Sequence, residues 1–499
     1  MVDLLQKFLP ETLPRAWLFL FLFCLIVSMQ YWFTGKFSAK RQRLPPSPPA
    51  LPIIGHLHLI GSLPHISLSG LARKHGLDVM LLRLQGTVPN LVVSSSRTAE
   101  AVLHTHDHVL ASRPYSVVSD TIMYRSSYIG FAPYGEYWRQ ARKLVTTHML
   151  SAKKVQSFRG AAAEEVSMAM AKINQAAATD AAVDMSELLH TFANDMACRI
   201  VSGKFFLKDG QSKLFGELIK DTSRLLGGFN LEEYFPAVGR VGVLKKAVCA
   251  KAERVRNRWA DLLDKVIDDV DIVLSVQQEY DLTREHMKAL LTDVFFGAID
   301  TSANALEFTL AELMKKPHLM VKLQDEVRGI VPQRQEIICE TDMNNMTHLR
   351  AVIKESLRLH PLAPLLAPHL AMADCIIDGY TVPAGMRVVV NAWAIGRDPS
   401  SWEHAEEFIP ERFTDEGSSM HGNFKGNDFQ FLPFGARRRM CPGMNLGVAN
   451  AELMLADIVC HFDWELPPGV ERKDIDMTEV FGLTVRRKEK LLLIPKSRM

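Results

Sequence analysis

Residues 431–443 read Phe-Leu-Pro-Phe-Gly-Ala-Arg-Arg-Arg-Met-Cys-Pro-Gly. They set Cys441 between a bend rich in glycine and arginine and a segment whose apolar residues (Met444, Leu446, Val448, Ala451, Leu453, Met454) fall at helical spacing. A thiolate there meets the positive end of the helix, backbone N–H groups and nearby guanidinium groups. Those conditions suit a cysteine that ligates a metal, a haem iron included. Seen alone, a cysteine is more often a buried structural residue, so companion motifs must carry the case. The other six cysteines show no paired spacing and read as reduced thiols facing the cytosol.

The first companion is a helix over 283–316, opened by Thr283-Arg-Glu-His and ended by Pro317. On it Val294, Ala298, Thr301 and Ala305 share one face with nothing bulky, so a flat macrocycle can approach. Gly297 weakens the helix and predicts a widened turn. Asp300 and Thr301 bring a carboxylate and a hydroxyl to that opening, a pair able to relay protons during oxygen activation. A second helix, 347–359, stops before Pro361 and carries Glu355 and Arg358 at i, i+3. Such a pair is usually solvated and worth a few tenths of a kcal/mol. Strand-like runs occur at 91–94 and 386–390, and Asp378-Gly379-Tyr380 reads as a hairpin turn feeding the second run.

Together these motifs resemble the cytochrome P-450 superfamily. The resemblance covers nearly the whole chain and implies a mainly α fold with a minor β-sheet region. It implies haem b with Cys441 as axial ligand, and Asp300 and Thr301 as the oxygen-activation pair. It further implies a structural triad of Glu355, Arg358 and Arg412, the last from Pro410-Glu-Arg-Phe413. Trp138, Arg142, His369 and Arg439 take the positions that hold the haem propionates. Substrate-pocket positions carried over from the family are Ile122, Phe131, Phe229, Ala298, Leu365, Leu366 and Phe481. Two departures stand out: Ala298 replaces the usual second glycine, and Arg437 stands where the family has glycine. Because glycine is usual where φ is positive, Arg437 predicts a strained loop and weaker haem retention.

Residues 51–61, 133–138, 143–151, 228–236 and 476–484 are similar to the grass monooxygenases that oxidise indole and its successors towards benzoxazinoid defence compounds. The implied reaction inserts one atom of O2 into a small apolar aromatic substrate, indole to indolin-2-one foremost. NADPH would supply electrons through a separate membrane-bound reductase. The alternatives are a related hydroxylase acting on a later benzoxazinoid intermediate, a terpenoid or a herbicide, and an inactive membrane-anchored ligand-binding protein. Another expectation is a linker shorter than the group's near Asp268 and Asp271.

Residues 16–33 are apolar apart from Ser28 and Gln30, and eighteen helical residues span roughly 27 Å, enough for a bilayer core. Lys36, Lys40, Arg41 and Arg43 follow it, so the positive-inside bias keeps the rest in the cytosol. The expected division is a single-pass endoplasmic-reticulum anchor over 1–33, a basic, proline-stiffened linker over 34–52, and a catalytic domain over 53–499. Net charge is +2, which gives no argument for a nucleic-acid partner.

Overall fold

The computed structural model describes residues 20, 43–51, 54–85, 88–125, 127–202, 211–227, 242–265, 267–270, 274–275, 277–331, 338, 340–414 and 424–497. Its principal helices and its strands are α1 (Pro64–His75), β1 (Val79–Gln85), β2 (Val88–Val93), α2 (Glu136–Leu144), α3 (Arg159–Ala177), β3 (Val183–Asp184), α4 (Met185–Ser202), α5 (Gln211–Gly227), α6 (Gly242–Leu263), α7 (Arg284–Lys315), α8 (Pro317–Ile330), α9 (Thr347–Leu359), β4 (His369–Leu370), β5 (Cys375–Ile377), β6 (Tyr380–Val382), β7 (Arg387–Val390), α10 (Met444–His461), β8 (Phe462–Glu465), β9 (Glu479–Val480), β10 (Arg486–Arg487) and β11 (Leu492–Ser497).

Helix α7 is the axis of the molecule. Its start is fixed by a capping box, in which Thr283 Oγ1 accepts the His286 N–H and the His286 ring faces the Thr283 N–H. Most of its side chains are buried, because α4, α9 and α10 pack around it. The chain turns at Lys316, and Pro317 then opens α8 at a first-turn position, where its missing N–H costs nothing. Helix α9 begins where the Glu326 carboxylate of α8 accepts the N–H groups of His348 and Leu349 at 2.7 and 2.8 Å. A carboxylate there satisfies free donors and suits the positive helix end. Both helices keep the bounds expected from capping and proline signals.

Strands β1, β2, β7 and β4 form one sheet in that order, with β2 and β7 parallel and the outer pairs antiparallel. The alternate residues Val79, Leu81, Leu91, Val93, Val388 and Val390 face a second apolar core beside the helical one. The expected hairpin turn forms at Asp378 (φ 52°) and Gly379 (φ 75°), but it joins β5 to β6 as a separate ribbon. The chain then bends through Gly385 before β7 begins, so the turn does not feed that strand directly. Strands β3, β11 and β8 make a third sheet, and β9 pairs with β10.

The proline-rich stretch is not free of the domain. Pro46 O accepts the Leu81 N–H, and Arg43 O accepts the Thr381 N–H, both at 2.8 Å. Prolines cannot donate, but the Pro46 carbonyl ties the segment to β1, as the Arg43 carbonyl before it does to β6. Residues 16–33 lie outside the described residues except Leu20, and no described helix is long and apolar enough to cross a membrane.

Candidate haem-thiolate site

One cavity of about 340 Å³ runs between α7, α4, the start of α10 and the segment that ends in Cys441. Its floor is the cysteine loop. The Cys441 N–H donates to Phe434 O at 2.9 Å, closing the loop, and Gly443 caps α10. Cys441 is open to the cavity and enclosed by protein elsewhere. Burial pushes its thiol up, whereas the N–H groups of Gly443 and Met444 and the Arg142 charge favour the thiolate. The bend needs left-handed backbone at Gly435 (φ 66°) and at Arg437 (φ 54°). Arg437 therefore does adopt the glycine conformation, with its side chain in solvent. The cost is on the order of 1–2 kcal/mol.

At one edge of the cavity lie three guanidinium groups: Arg113, Arg142 and Arg439. Their partners are carbonyls. Arg113 donates to Gly130, Ala367 and Pro368, Arg142 to Met440, and Arg439 to Ala111, Ile129 and Ala132. Among the described residues no carboxylate forms an ion pair with any of the three. Burial and then the neighbouring arginines hold Arg113 well below the usual guanidinium range, and burial with Arg142 lowers Arg439 to about 9. His369 lies on the same edge, lowered to about 3 by burial and then by Arg113, with Nδ1 at 2.8 Å from Leu110 O. Like charges gathered out of water call for an anion. The two propionates of a haem fit, as do the thiol below and the apolar faces above. Trp138 departs from expectation: its indole N–H donates to Ile129 O, and the ring stacks beneath Arg439 (4.4 Å) and Arg142 (5.6 Å), behind the cavity wall. Arg113 was not foreseen. It follows no helical spacing from Arg142, and only the tertiary fold makes them neighbours.

The α7 stripe of Val294, Ala298, Thr301 and Ala305 lines the cavity as expected. The helix stays regular across Gly297, however, with no widened turn. Thr301 Oγ1 instead donates to Gly297 O at 2.7 Å, a bond that holds the hydroxyl over the carbonyl a turn earlier. Asp300, one residue before, projects away from the opening, because a single helical step turns the side chain by about 100°. It is 5% exposed and sits between α4, α5 and the segment before β10. Thr484 Oγ1 lies 3.5 Å from its Oδ2, and His190 Nε2 lies 4.0 Å from Oδ1. Burial raises the carboxyl to about 6, against the charges of Lys220 and Arg486.

Of the pocket positions, Phe131, Ala298 and Leu366 line the cavity. Ile122 packs in the helical core, Leu365 against the β1–β2 face, and Phe481 stacks on His65, so these three lie off the wall. Phe229 lies outside the described residues. Helix α4 contributes Phe192, Ala193, Met196, Ala197 and Ile200 at helical spacing, a stripe the sequence displays but that only packing assigns to the cavity. Leu483 and Thr484 reach the wall because Gly227 and Gly482 cross closely; a Cβ on Gly227 would meet the Gly482 carbonyl carbon at 2.3 Å.

Behind the cysteine loop, Arg358 grips Glu355 with two bonds (2.7 and 2.8 Å), and Arg412 Nε reaches the same carboxylate at 3.4 Å. Glu355 also accepts the Ile409 N–H, and Arg358 donates to the carbonyls of Gly396, Ala405 and Glu407. Both side chains of the Glu355–Arg358 pair are fully buried, unlike the solvated pair their spacing first suggests.

The Cytochrome P450 family description matches residues 45–494, and the chain belongs to that family. It is 53% identical over 470 residues to an indole-2-monooxygenase of Zea mays, spanning 91% of this chain and 87% of that relative. An indolin-2-one monooxygenase of Zea mays is 48% identical over 494 residues, spanning 93% and 92%. A zebrafish cytochrome P450 solved with abiraterone superposes with a TM-score of 0.72 at 25% identity, covering 87% of this chain and all of that one. The protein is accordingly a haem-dependent monooxygenase that uses O2 and NADPH-derived electrons passed through a reductase.

Proposed function

We propose that the chain inserts one oxygen atom from O2 into indole, giving indolin-2-one, as a step towards benzoxazinoids. The observation that carries the reading is the junction of Cys441 and the Thr301 face in one apolar cavity with a cationic edge. The similarity to maize enzymes named for indole and indolin-2-one supports the substrate class.

Cys441 would hold the haem iron as a thiolate, with Arg113, Arg142, His369 and Arg439 taking the propionates, and Trp138 backing the last arginine. Bound there, the haem supplies oxygen activation and transfer. Phe131, Ala298, Leu366 and the α4 stripe exclude water and press a flat aromatic substrate towards the centre. Thr301 holds a hydroxyl at the cavity wall, and Asp300 behind it holds a proton close to neutrality. Glu355, Arg358 and Arg412 keep the loop in place and take no part in chemistry. Residues 1–33 would anchor the protein in the endoplasmic-reticulum membrane with residues 53–499 in the cytosol. The exposed Lys143, Arg437 and Arg438 lie on the side of the cysteine loop and would receive an acidic reductase surface.

The test is to assay membranes containing the chain and a plant reductase with NADPH and either indole or indolin-2-one. Indolin-2-one formed from indole supports the assignment. Inert indole together with hydroxylated indolin-2-one contradicts it and moves the enzyme one step later.

A further inference from the structure

We propose that His190 is a positioning residue that passes protons from solvent to Asp300. The inference rests on the reading above, in which Asp300 and Thr301 feed protons into the cavity.

Each turnover of RH + O2 + NADPH + H+ to ROH + H2O + NADP+ brings protons to the cavity, so a buried carboxyl that gives one must be refilled. Asp300 is too enclosed to draw it directly from bulk water. His190, on α4, is a quarter exposed, and its Nε2 stands 4.0 Å from Asp300 Oδ1. That is beyond hydrogen-bond length, so transfer requires the ring or the carboxyl to turn slightly. The ring is placed to do so. Its Nδ1 has no hydrogen-bond partner among the described residues. Three buried histidines are held at one ring nitrogen, His65 to Glu479 at 2.7 Å, His360 to Glu312 at 2.9 Å and His369 to Leu110 O at 2.8 Å. Buried His348, by contrast, has no hydrogen-bond partner at either ring nitrogen among the described residues.

The surroundings favour one direction of flow. Lys220 from α5 and Arg486 from β10 repel a proton on His190, Asp184 from β3 attracts one, and burial dominates, lowering the imidazole to about 4. With Asp300 raised to about 6, transfer from His190 Nε2 to Asp300 Oδ1 runs downhill, whereas loading the imidazole from water at neutral pH runs uphill, so His190 carries the proton only in passing. From Asp300 the contact towards the cavity wall is Thr484, 3.5 Å from Oδ2. No electrons move in these steps, and water is the only donor required.

The experiment compares wild type, His190→Gln and Asp300→Asn as full-length holoenzymes, normalised by their reduced carbon monoxide spectra. It measures product and peroxide per NADPH, the solvent deuterium isotope effect and thermal midpoints between pH 4 and 7. The substrate is indole or the compound found in the assay above. His190→Gln should keep the spectrum, lose product yield several-fold in favour of peroxide, and show a larger isotope effect. A depressed histidine loses native stability as pH falls from its ordinary value of 6.5 towards 4, so His190→Gln should also flatten that acid limb. If the glutamine variant loses haem, the shorter His190→Asn takes its place. Unchanged coupling and isotope effect in the histidine variant, with Asp300→Asn uncoupled, overturn the inference and leave the Asp300 assignment standing. Unchanged coupling in both variants removes that assignment as well.

Discussion

Single residues set the site against their own stability. Arg437 holds a left-handed backbone that costs on the order of 1–2 kcal/mol, next to the residue chain that must grip a cofactor. Arg437→Gly is expected to slow haem loss by up to roughly tenfold, as measured by transfer to a haem-scavenging protein. An equal rate would show that the loop absorbs the strain without cost to the haem. Asp300 carries a second burden. Its folded pKa of about 6 exceeds the ordinary 3.8, so its favourable contribution is complete below pH 3.8 and is lost as pH rises through 6. At pH 7 the penalty is roughly 3 kcal/mol, from about 1.4 kcal/mol per pKa unit. Asp300→Asn should therefore raise the thermal midpoint at pH 7 and leave it unchanged near pH 3.5. A lower midpoint at pH 7 would mean that the carboxylate is held by bonds stronger than its desolvation.

At the scale of elements, helix termini and close crossings do the positioning. The start of α10 aims two N–H groups at Cys441, and the buried Glu355–Arg358 pair fixes the backbone at Gly396, Ala405, Glu407 and Ile409. Removing one partner strands a buried charge, which costs about 3–5 kcal/mol. Arg358→Leu is expected to give little holoprotein at normal expression, checked by haem content per polypeptide; full haem content would deny the pair its structural role. The Gly227–Gly482 crossing holds Leu483 and Thr484 on the wall. Gly227→Ala, whose Cβ would meet the Gly482 carbonyl carbon and the Leu483 nitrogen at 2.3 Å, should displace that segment and weaken substrate binding, seen in the substrate-induced spectral shift, with the haem still bound. An unchanged shift would place the segment outside substrate contact.

Across the whole molecule, the sequence displayed whatever rests on local signals. The capping box at Thr283, the prolines at 317 and 361 and the Asp378-Gly379 turn fix element ends through short-range chemistry, and those elements formed. The cysteine loop was legible because its function is written in contiguous residues. Legibility failed where function comes from tertiary neighbours. Arg113 joins Arg142 only through the fold, the α4 stripe faces the cavity only once α4 lies along α7, and Asp300 turns towards His190 from a helix that stays regular at Gly297. Pocket positions carried over by family analogy fared unevenly for the same reason: Ile122 is buried and Leu365 and Phe481 are half-buried, all apolar as a pocket residue would be, yet they pack elsewhere.

The central claim is that Cys441 holds a haem iron as thiolate. The most direct test is the reduced carbon monoxide difference spectrum of the membrane-expressed chain. A strongly red-shifted Soret band that disappears in Cys441→His, whose imidazole ligates haem without a thiolate, is the expected result. A band at the position of an imidazole-ligated haem in the wild type, or one that survives the substitution, would contradict it.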